Sequence, residues 1–287
     1  MFELRWEPGG AAVHGHERVG LDGLMAQRGR RARWCRMPGS AVRGGRGIRW
    51  PRAEQRDTTW WPQGIDLQNG TAIVSWHHPV DGADTDARVT FLTLGPRPRF
   101  WHVGLVDADL LPIPIHAGGL AWHDDRLWVA DTFGGMRHFD TRDILRVDGR
   151  YVLPQSGGYR SLPVDGERAM RYSFLSFDGS HLVAGEYRNG TDDARLLQLE
   201  LDGGVAVVHP GLDRMQGACV VDGTWYVTTS NGSRRNGDLW VGHPPDLVRR
   251  KGALPPGPED LAQEPGLRRL WSVSEHPGAR WVFALDV

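Results

Sequence analysis

The sequence Gly118-Gly-Leu-Ala-Trp-His-Asp-Asp-Arg-Leu-Trp-Val-Ala-Asp131 is the clearest copy of a pattern that occurs four more times along the chain and indicates the fold. A short apolar strand leads into a tight polar turn, and a second apolar strand follows. In other copies the turn is Asn69-Gly70 or Asp222-Gly223. Such pairs between apolar runs are strong hairpin signals, because the favoured turn needs positive φ. The four other copies span residues 63–76, 173–186, 216–229 and 259–275.

The spacing of these hairpins indicates a β-propeller. They start at residues 63, 118, 173, 216 and 259, at intervals of 55, 55, 43 and 43 residues, and a third strand follows each hairpin. A weaker fourth strand follows in four of the copies. Repeats of about 40 to 50 residues with several antiparallel strands are typical of propeller blades. We therefore predict an all-β fold, a β-propeller with five blades, and keep six blades as the alternative.

The two ends of the chain predict how the propeller closes. The last repeat reaches Val287 after its third strand and lacks an outer strand. Residues 2–6 alternate apolar and polar side chains, so we expect this N-terminal strand to supply the missing one and cover the open edge. We expect one domain, in which residues 1–58 hold the closing strand and an irregular segment packed on the propeller of residues 59–287.

Arginine is concentrated between residues 28 and 56, where ten Arg accompany one acidic residue, Glu54. Such a run can follow a phosphate backbone or hold a phosphorylated ligand. The interpretation that we favour is a segment that crosses a face of the propeller, with its Arg side chains paired to carboxylates.

The composition excludes several classes of protein. Because 34 basic residues are matched by 35 acidic ones, net charge does not predict a nucleic-acid or membrane-surface partner. Two cysteines cannot form a disulfide framework or a Cys-rich zinc site. No apolar run reaches the roughly 18 residues of a membrane span, and the first residues lack the apolar core of a secretory signal. The sequence predicts a cytoplasmic protein with a small-molecule partner and leaves its oligomeric state open.

Acidic side chains recur where the repeated strands begin or end. The first strand of a blade lines the central channel, and strand direction alternates. The start of the first strand and the end of the second therefore lie at the same mouth. Carboxylates that converge in a pocket raise one another's pKa values and can then transfer protons near neutral pH. The candidate carboxylates are Glu186, Glu259, Asp131 and Glu275, and His116 is a further candidate that could assist as an acid or base.

Three tryptophans near the first repeat are candidates for substrate contact. Trp60 and Trp61 precede this repeat, and Trp76 ends its second strand, where large flat rings can stack on an aromatic or cationic ligand. The tryptophans inside other strands, namely Trp122, Trp128, Trp225, Trp240, Trp271 and Trp281, are interpreted as packing between blades. Further candidates for substrate binding are His77, Tyr172, Gln63, Gln216, Arg188 and Asn231.

The entry motifs resemble those of a known group. Pro62-Gln-Gly-Ile65, Ala117-Gly-Gly-Leu120, Met215-Gln-Gly-Ala218 and Pro258-Glu-Asp-Leu261 look like the blades of the gluconolactonase, strictosidine synthase-like and NHL-type propellers, over about residues 60–287. The lactonase branch implies a divalent metal at such entry positions, where Glu259 matches an expected ligand. Gln63 and Gln216 would add only neutral oxygens, and one formal charge holds a hard cation poorly. The strictosidine synthase branch implies a metal-free channel with a Glu base, for which Glu186 and Glu259 are the candidates.

These observations lead to one main functional hypothesis and two alternatives. The main hypothesis is a metal-independent enzyme of small-molecule, specialised metabolism that uses no cofactor. It would catalyse acid/base cyclisation, isomerisation or condensation of an apolar or aromatic substrate at the propeller mouth. A metal-dependent, lactonase-like hydrolase is the second hypothesis, with Glu259, Gln63 and Gln216 as metal ligands. The third is a propeller that binds a ligand or protein without catalysis.

Overall fold

Strands account for most of the chain, and two short helices lie in its first 58 residues. The computed structural model describes residues 2–10, 15–37, 45–164, 166, 168–190, 193–202 and 204–287. Among these residues, neither helix has the length and apolar character needed to cross a membrane. The N-terminal elements are β1 (Phe2–Pro8), β2 (Glu17–Arg18), α1 (Gly20–Met25), β3 (Arg30–Arg31), β4 (Arg33–Arg36), β5 (Arg46–Arg49) and α2 (Arg52–Arg56).

The remaining strands fall into five units in chain order, and strands pair antiparallel within each unit. The outer strands of units one and two also pair with each other in parallel. Unit one contains β6 (Trp61–Gln68), β7 (Thr71–Val80), β8 (Ala83–Thr93) and β9 (Arg99–Val106). Unit two contains β10 (Leu120–His123), β11 (Arg126–Asp131), β12 (Gly135–Asp140), β13 (Leu145–Val147) and β14 (Arg150–Pro163), with a 3₁₀ turn at Thr141–Asp143. Unit three contains β15 (Phe174–Phe177), β16 (Leu182–Gly185), β17 (Arg195–Leu199) and β18 (Val205–Pro210). Unit four contains β19 (Met215–Val221), β20 (Thr224–Thr229), β21 (Asn236–His243) and β22 (Asp246–Pro256). Unit five contains β23 (Pro258–Gln263), β24 (Arg269–Ser274) and β25 (Trp281–Asp286).

These units surround one axis and form a β-propeller. The first strands β6, β10, β15, β19 and β23 contact one another in a closed ring, in which β23 returns to β6. A hydrophobic cluster fills each junction between neighbouring units. Burial between sheets, including the junction between the last unit and the first, removes apolar surface from water on both faces of every unit. Members of the five clusters include Phe91 and Trp122, Trp128 and Leu175, Phe174 and Trp225, Tyr226 and Phe283, and Trp271 and Val74.

The predicted turns and packing residues are confirmed. Asn69 and Asp222 adopt φ of 50° and 48° in the hairpins of units one and four, which is the left-handed region that these turns require. Five of the six strand tryptophans are at most 6% exposed. The sixth, Trp240, is partly buried against the cluster between units three and four.

The glycines of the entry motifs are explained by how closely the first strands pass one another. A Cβ on Gly217 would lie 2.6 Å from the Cα of Asp260 in the next unit, so only glycine allows this approach. Asp260 takes the corresponding position in unit five. Its carboxylate accepts hydrogen bonds from the backbone N–H groups of Ile65 and Leu120, each at 3.3 Å. These bonds tie unit five to units one and two.

The prediction that the N-terminal strand completes the last unit is wrong. β1 instead pairs with β14 at the outer edge of unit two. The outer strands of unit five are β5, which pairs with β25, and β4, which pairs with β5. The reason is burial, because Ile48 in β5 is fully enclosed between units five and one. β1 offers a half-buried Leu4 between exposed residues, so it suits a solvent-facing edge.

The Arg-rich segment packs on two units. β3 pairs with β9 of unit one, while β4 and β5 extend unit five. The expected pairing with carboxylates holds for Arg30, which forms an ion pair with Glu54. Residues 38–44, which include Arg43, lie outside the described residues.

Candidate active site

A cavity of about 550 Å³ lies at one mouth of the propeller. First strands begin there and second strands end there, and these strand ends bring together side chains from all five units. Among the predicted site residues, eight line this cavity: Trp61, Gln63, His77, His116, Asp131, Gln216, Glu259 and Glu275. Lining residues that were not predicted for the site include Pro79, Asp84, Pro114, Ile115, Thr132, Phe133, Arg171 and Tyr187.

Three polar side chains reach the cavity from irregular positions in the first strands. The strand register shifts between Pro62 and Ile65, between Met215 and Gly217, and between Pro258 and Leu261. Such bulges re-aim a side chain away from the regular pleat. The residues within these shifts that line the cavity are Gln63, Gln216 and Glu259.

Glu259 is the most enclosed acid of the cavity, with 3% of its surface exposed. Gln216 Nε2 donates a hydrogen bond to Glu259 Oε1 at 3.0 Å. Burial, followed by repulsion from Glu275 and Asp260, raises the pKa of Glu259 well above its usual value. Gln63 Nε2 donates to Glu275 Oε2 at 3.4 Å. The two amides therefore orient two neighbouring acids, of which Glu259 has a raised pKa.

A second polar group joins units one and two. His77 Nδ1 lies 2.5 Å from Asp84 Oδ1, and His116 Nδ1 lies 3.4 Å from Asp84 Oδ2. The two imidazole ring centroids are 4.1 Å apart. Burial lowers the pKa of His77 more than the hydrogen bond with Asp84 raises it. Burial acts to raise the pKa of Asp84, but hydrogen bonds from His116 and His77 outweigh it and hold that pKa well below the usual range.

Aromatic rings form an apolar rim around these polar groups. Phe133 is 74% exposed and Tyr187 is 37% exposed, although both line a cavity. The Arg171 guanidinium lies 5.2 Å from the Phe133 ring centroid. Trp61 Nε1 donates to the Thr58 carbonyl at 3.2 Å, which fixes the orientation of its ring. Exposed rings beside enclosed polar groups are typical of a site for a ligand with an apolar part.

Asp131 lines the cavity, but other residues already bind both of its carboxylate oxygens. Arg137 Nε and Nη2 donate to Oδ2 at 2.9 and 2.7 Å, and Gly134 N donates to Oδ1 at 3.2 Å. These contacts hold the turn between β11 and β12.

Glu186 and Arg188, both predicted for the site, do not reach the cavity. Glu186 is fully buried and accepts hydrogen bonds from Arg168 and Arg195 and from the backbone N–H groups of Arg171 and Arg195. Burial acts to raise the pKa of Glu186, but these donors outweigh it and lower the pKa to about 2. Arg188 lies 3.8 Å from the same carboxylate. These contacts of Glu186 therefore hold β16, β17 and the loop that contains Arg168 and Arg171 together.

Two predicted substrate-binding residues are structural because of burial and hydrogen bonding. Tyr172 is fully buried in the cluster between units two and three. Asn231 Nδ2 donates to Asp238 Oδ2 at 3.0 Å and to the Asn236 carbonyl at 2.8 Å. Neither residue lines the cavity.

Trp60 and Trp76 also lie away from the cavity. Trp76 is fully buried, with its ring centroid 5.3 Å from that of Trp50. Trp60 stacks on His78 at 5.1 Å, and the Arg88 guanidinium lies 4.2 Å from its ring centroid. Of the three tryptophans proposed for substrate contact, Trp61 alone lines the cavity.

His77, Asp84 and His116 form the one three-residue set of His, Cys, Asp or Glu side chains that could hold a metal ion within the described part of the chain. Their ligand atoms all lie within 4.8 Å of one another. This set differs from the expected one of Glu259, Gln63 and Gln216. In that expected set, Gln216 already donates to Glu259. Nothing in the sequence marked Asp84 as a site residue. It follows the polar turn Asp81-Gly82, where an aspartate is ordinary.

No protein-family model and no curated protein sequence matches the chain. Solved structures that are similar in fold include a glutaminyl cyclase from Myxococcus xanthus, with 16% identity, a TM-score of 0.46, and coverage of 90% of this chain and 97% of that one. A GH43 β-xylosidase/α-arabinofuranosidase from a compost microbial metagenome has 12% identity, a TM-score of 0.49, and coverage of 89% and 94%. A nidogen/laminin complex has 10% identity, a TM-score of 0.44, and coverage of 74% and 72%. None is similar enough to assign a family or an activity.

Proposed function

We propose that this cavity is the active site of a metal-independent enzyme of small-molecule, specialised metabolism. The observation that carries the proposal is Glu259, an enclosed acid with a raised pKa beside Glu275 in a cavity with an aromatic rim. A carboxylic acid that keeps its proton at neutral pH can donate it to a substrate oxygen or nitrogen. Cyclisation, isomerisation or condensation needs such a donor together with a base.

The neighbouring groups supply the remaining roles. Glu275, oriented by Gln63, accepts a proton from the substrate. His116, held by Asp84 on the part of the wall formed by units one and two, is a second proton-transfer group. Trp61, Phe133 and Tyr187 contact the apolar or aromatic part of the substrate. The volume of about 550 Å³ falls within the usual range for small-molecule sites, about 300 to 1,000 Å³.

The test compares product formation by the unmodified protein and the Glu259→Gln variant. Each is incubated with a small-molecule extract of the source cells, and mass spectrometry follows which compounds disappear and appear. We expect Glu259→Gln to abolish a conversion that Glu200→Gln, a change on the exposed surface, leaves intact. Loss of one general acid typically lowers the rate by about 10² to 10⁴-fold.

The pH dependence adds a second readout. Activity should fall as rising pH removes the proton of Glu259, and Glu259→Asp should move that limb of the profile. An unchanged conversion in Glu259→Gln would refute the proposed acid. A compound that binds without being converted would instead favour the non-catalytic alternative.

The metal-dependent hydrolase remains the second candidate because of His77, Asp84 and His116. Two imidazoles and one carboxylate suit Zn²⁺ or a similar transition ion, and here they line the same cavity as Glu259. Metal analysis of the purified protein separates the two candidates. One tightly bound ion per chain, lost in His77→Ala and needed for hydrolysis, would replace the metal-independent proposal.

A further inference from the structure

A second cavity, of about 730 Å³, lies where β4, β5 and α2 meet, and none of its lining residues belongs to the propeller mouth. Five arginines line this cavity, which we call the arginine cleft: Arg31, Arg33, Arg49, Arg52 and Arg56. All five are exposed to solvent. Its volume is in the range of small-molecule sites.

The backbone places these like charges close to one another. Arg33 in β4 lies directly opposite Arg49 in β5, and like charges at such positions destabilise a sheet. Arg52 and Arg56 are four residues apart on α2, which places them on the same face of the helix, where like charges repel. Folding therefore brings cations together at an electrostatic cost.

Protein carboxylates do not offset that cost. No described carboxylate lies within 4.0 Å of any of the five guanidinium groups. Glu54, the acidic residue of this segment, is buried and paired with Arg30 and His102 instead. Arg49 Nη2 donates to the Gly278 carbonyl at 3.0 Å, which is a neutral partner. The cleft therefore has a surplus of cationic hydrogen-bond donors.

We propose that the arginine cleft binds a small ligand with two or more phosphoryl groups, such as a nucleoside di- or triphosphate. A guanidinium donates two parallel hydrogen bonds to a phosphoryl group, and several guanidinium groups in one cleft hold a chain of phosphates. Binding relieves the repulsion between Arg33 and Arg49 and between Arg52 and Arg56. This site is separate from the proposed catalytic cavity and does not depend on its chemistry.

Calorimetric titration with inorganic tripolyphosphate and with ATP tests the proposal, at about 50 and about 200 mM salt. We expect saturable binding of one ligand per chain, weaker at the higher salt concentration. The double variant Arg33→Gln/Arg49→Gln should weaken binding by about tenfold or more, because it removes charge-assisted hydrogen bonds. Arg36→Gln removes the same kind of charge from β4 at a position that does not line the cleft, so it should change affinity by less than about twofold.

Two further readouts distinguish local binding from unfolding or bulk charge. The double variant removes the repulsion between Arg33 and Arg49 and also the hydrogen bond from Arg49 Nη2 to the Gly278 carbonyl, so its melting temperature should stay close to that of the unmodified protein. Cys35 lines the cleft, while Cys219 is fully buried. Bound tripolyphosphate should therefore slow alkylation of Cys35 by a thiol reagent.

Three results would overturn the proposal. The first is absence of saturable binding of both ligands at low salt. The second is equal weakening by Arg36→Gln and by the double variant, which would indicate a diffuse charge effect. The third is binding of single-stranded oligonucleotides when tripolyphosphate and ATP do not bind, which would make the segment a nucleic-acid surface.

Discussion

Arg280 is a fully buried cation that holds the last unit against the start of the propeller. Its Nε donates to the Glu275 carbonyl at 2.7 Å, Nη1 to the Glu54 carbonyl at 2.6 Å, and Nη2 to the Trp60 carbonyl at 2.7 Å. No described carboxylate forms an ion pair with it. Replacing Arg280 with Met keeps much of the side-chain volume and removes all three hydrogen bonds.

The size of the effect follows from two opposing contributions. Burial outweighs the attraction of Asp57 and Glu275 and lowers the pKa of Arg280 to about 10. Relative to an unperturbed arginine, at about 1.4 kcal/mol per pKa unit, keeping this charge in the fold costs about 3 kcal/mol net, which the variant recovers. Each hydrogen bond from a charged donor contributes about 1.5 to 3 kcal/mol, so the three together contribute about 5 to 9 kcal/mol. The hydrogen bonds exceed the burial cost, and Arg280→Met should lower the free energy of unfolding by about 2 to 6 kcal/mol.

Urea unfolding with linear extrapolation measures this difference. Arg268→Met is the matched control, because Arg268 is exposed and pairs with an exposed Asp222 at 3.2 Å. Surface pairs contribute at most about 1 kcal/mol. If Arg280→Met loses no more stability than Arg268→Met, the three hydrogen bonds of Arg280 do not hold the last unit in place.

Three other changes test separate parts of the fold. Glu186→Gln should lower the free energy of unfolding by about 3 kcal/mol at pH 7, because the folded-state pKa of Glu186 falls from 4.5 to about 2. Stability from this lowered pKa is present above pH 4.5 and is lost towards pH 2, so urea unfolding at pH 7 and pH 3 should show the difference shrinking. Gly217→Ala should cost about 1 to 3 kcal/mol through its contact with the neighbouring backbone. Gly95→Ala is the control and should leave the melting temperature unchanged, because nothing lies within 4 Å of the new Cβ. Equal melting temperatures of the Gly217→Ala and Gly95→Ala variants would contradict the close approach of the first strands. Ile48→Ala should lower the free energy of unfolding by about 2 to 5 kcal/mol, and Leu4→Ala should lower it by less, because β5 closes the propeller and β1 does not. Urea unfolding of both variants measures this difference.

Much of the candidate site could be predicted because the repeat marks where strands begin and end. Gln63, Gln216, Glu259 and Glu275 occupy such positions and line one cavity. Glu186 occupies an equivalent position, yet Arg168 and Arg195 bind its carboxylate. The position of a residue within the repeat determines how far along the propeller axis it lies, and therefore whether it is near the mouth. The neighbours that compete for its side chain come from other parts of the sequence.

The tryptophans also show that the repeat predicts where a residue lies in its hairpin but not which neighbours enclose its side chain. Trp61 and Trp76 open and close one hairpin, and both were predicted to contact substrate. Trp61 pairs with His77 across this hairpin, and both line the cavity. Trp76 precedes His77 on the other face of the strand and is enclosed against Trp50 from the N-terminal segment. A segment 26 positions away along the chain therefore decides the role of Trp76.

The sequence alone determined the hairpins, their turns and the propeller that they build, because these features depend on side-chain alternation and backbone conformation within short contiguous stretches. The tertiary structure decided which strand completes unit five, which acids remain free at the mouth, and that His77, Asp84 and His116 meet. It also decided that arginines from β3, β4, β5 and α2 share one cleft. Each of these outcomes rests on burial and charge contacts between different strands, helices and units, and local periodicity carries no information about such contacts.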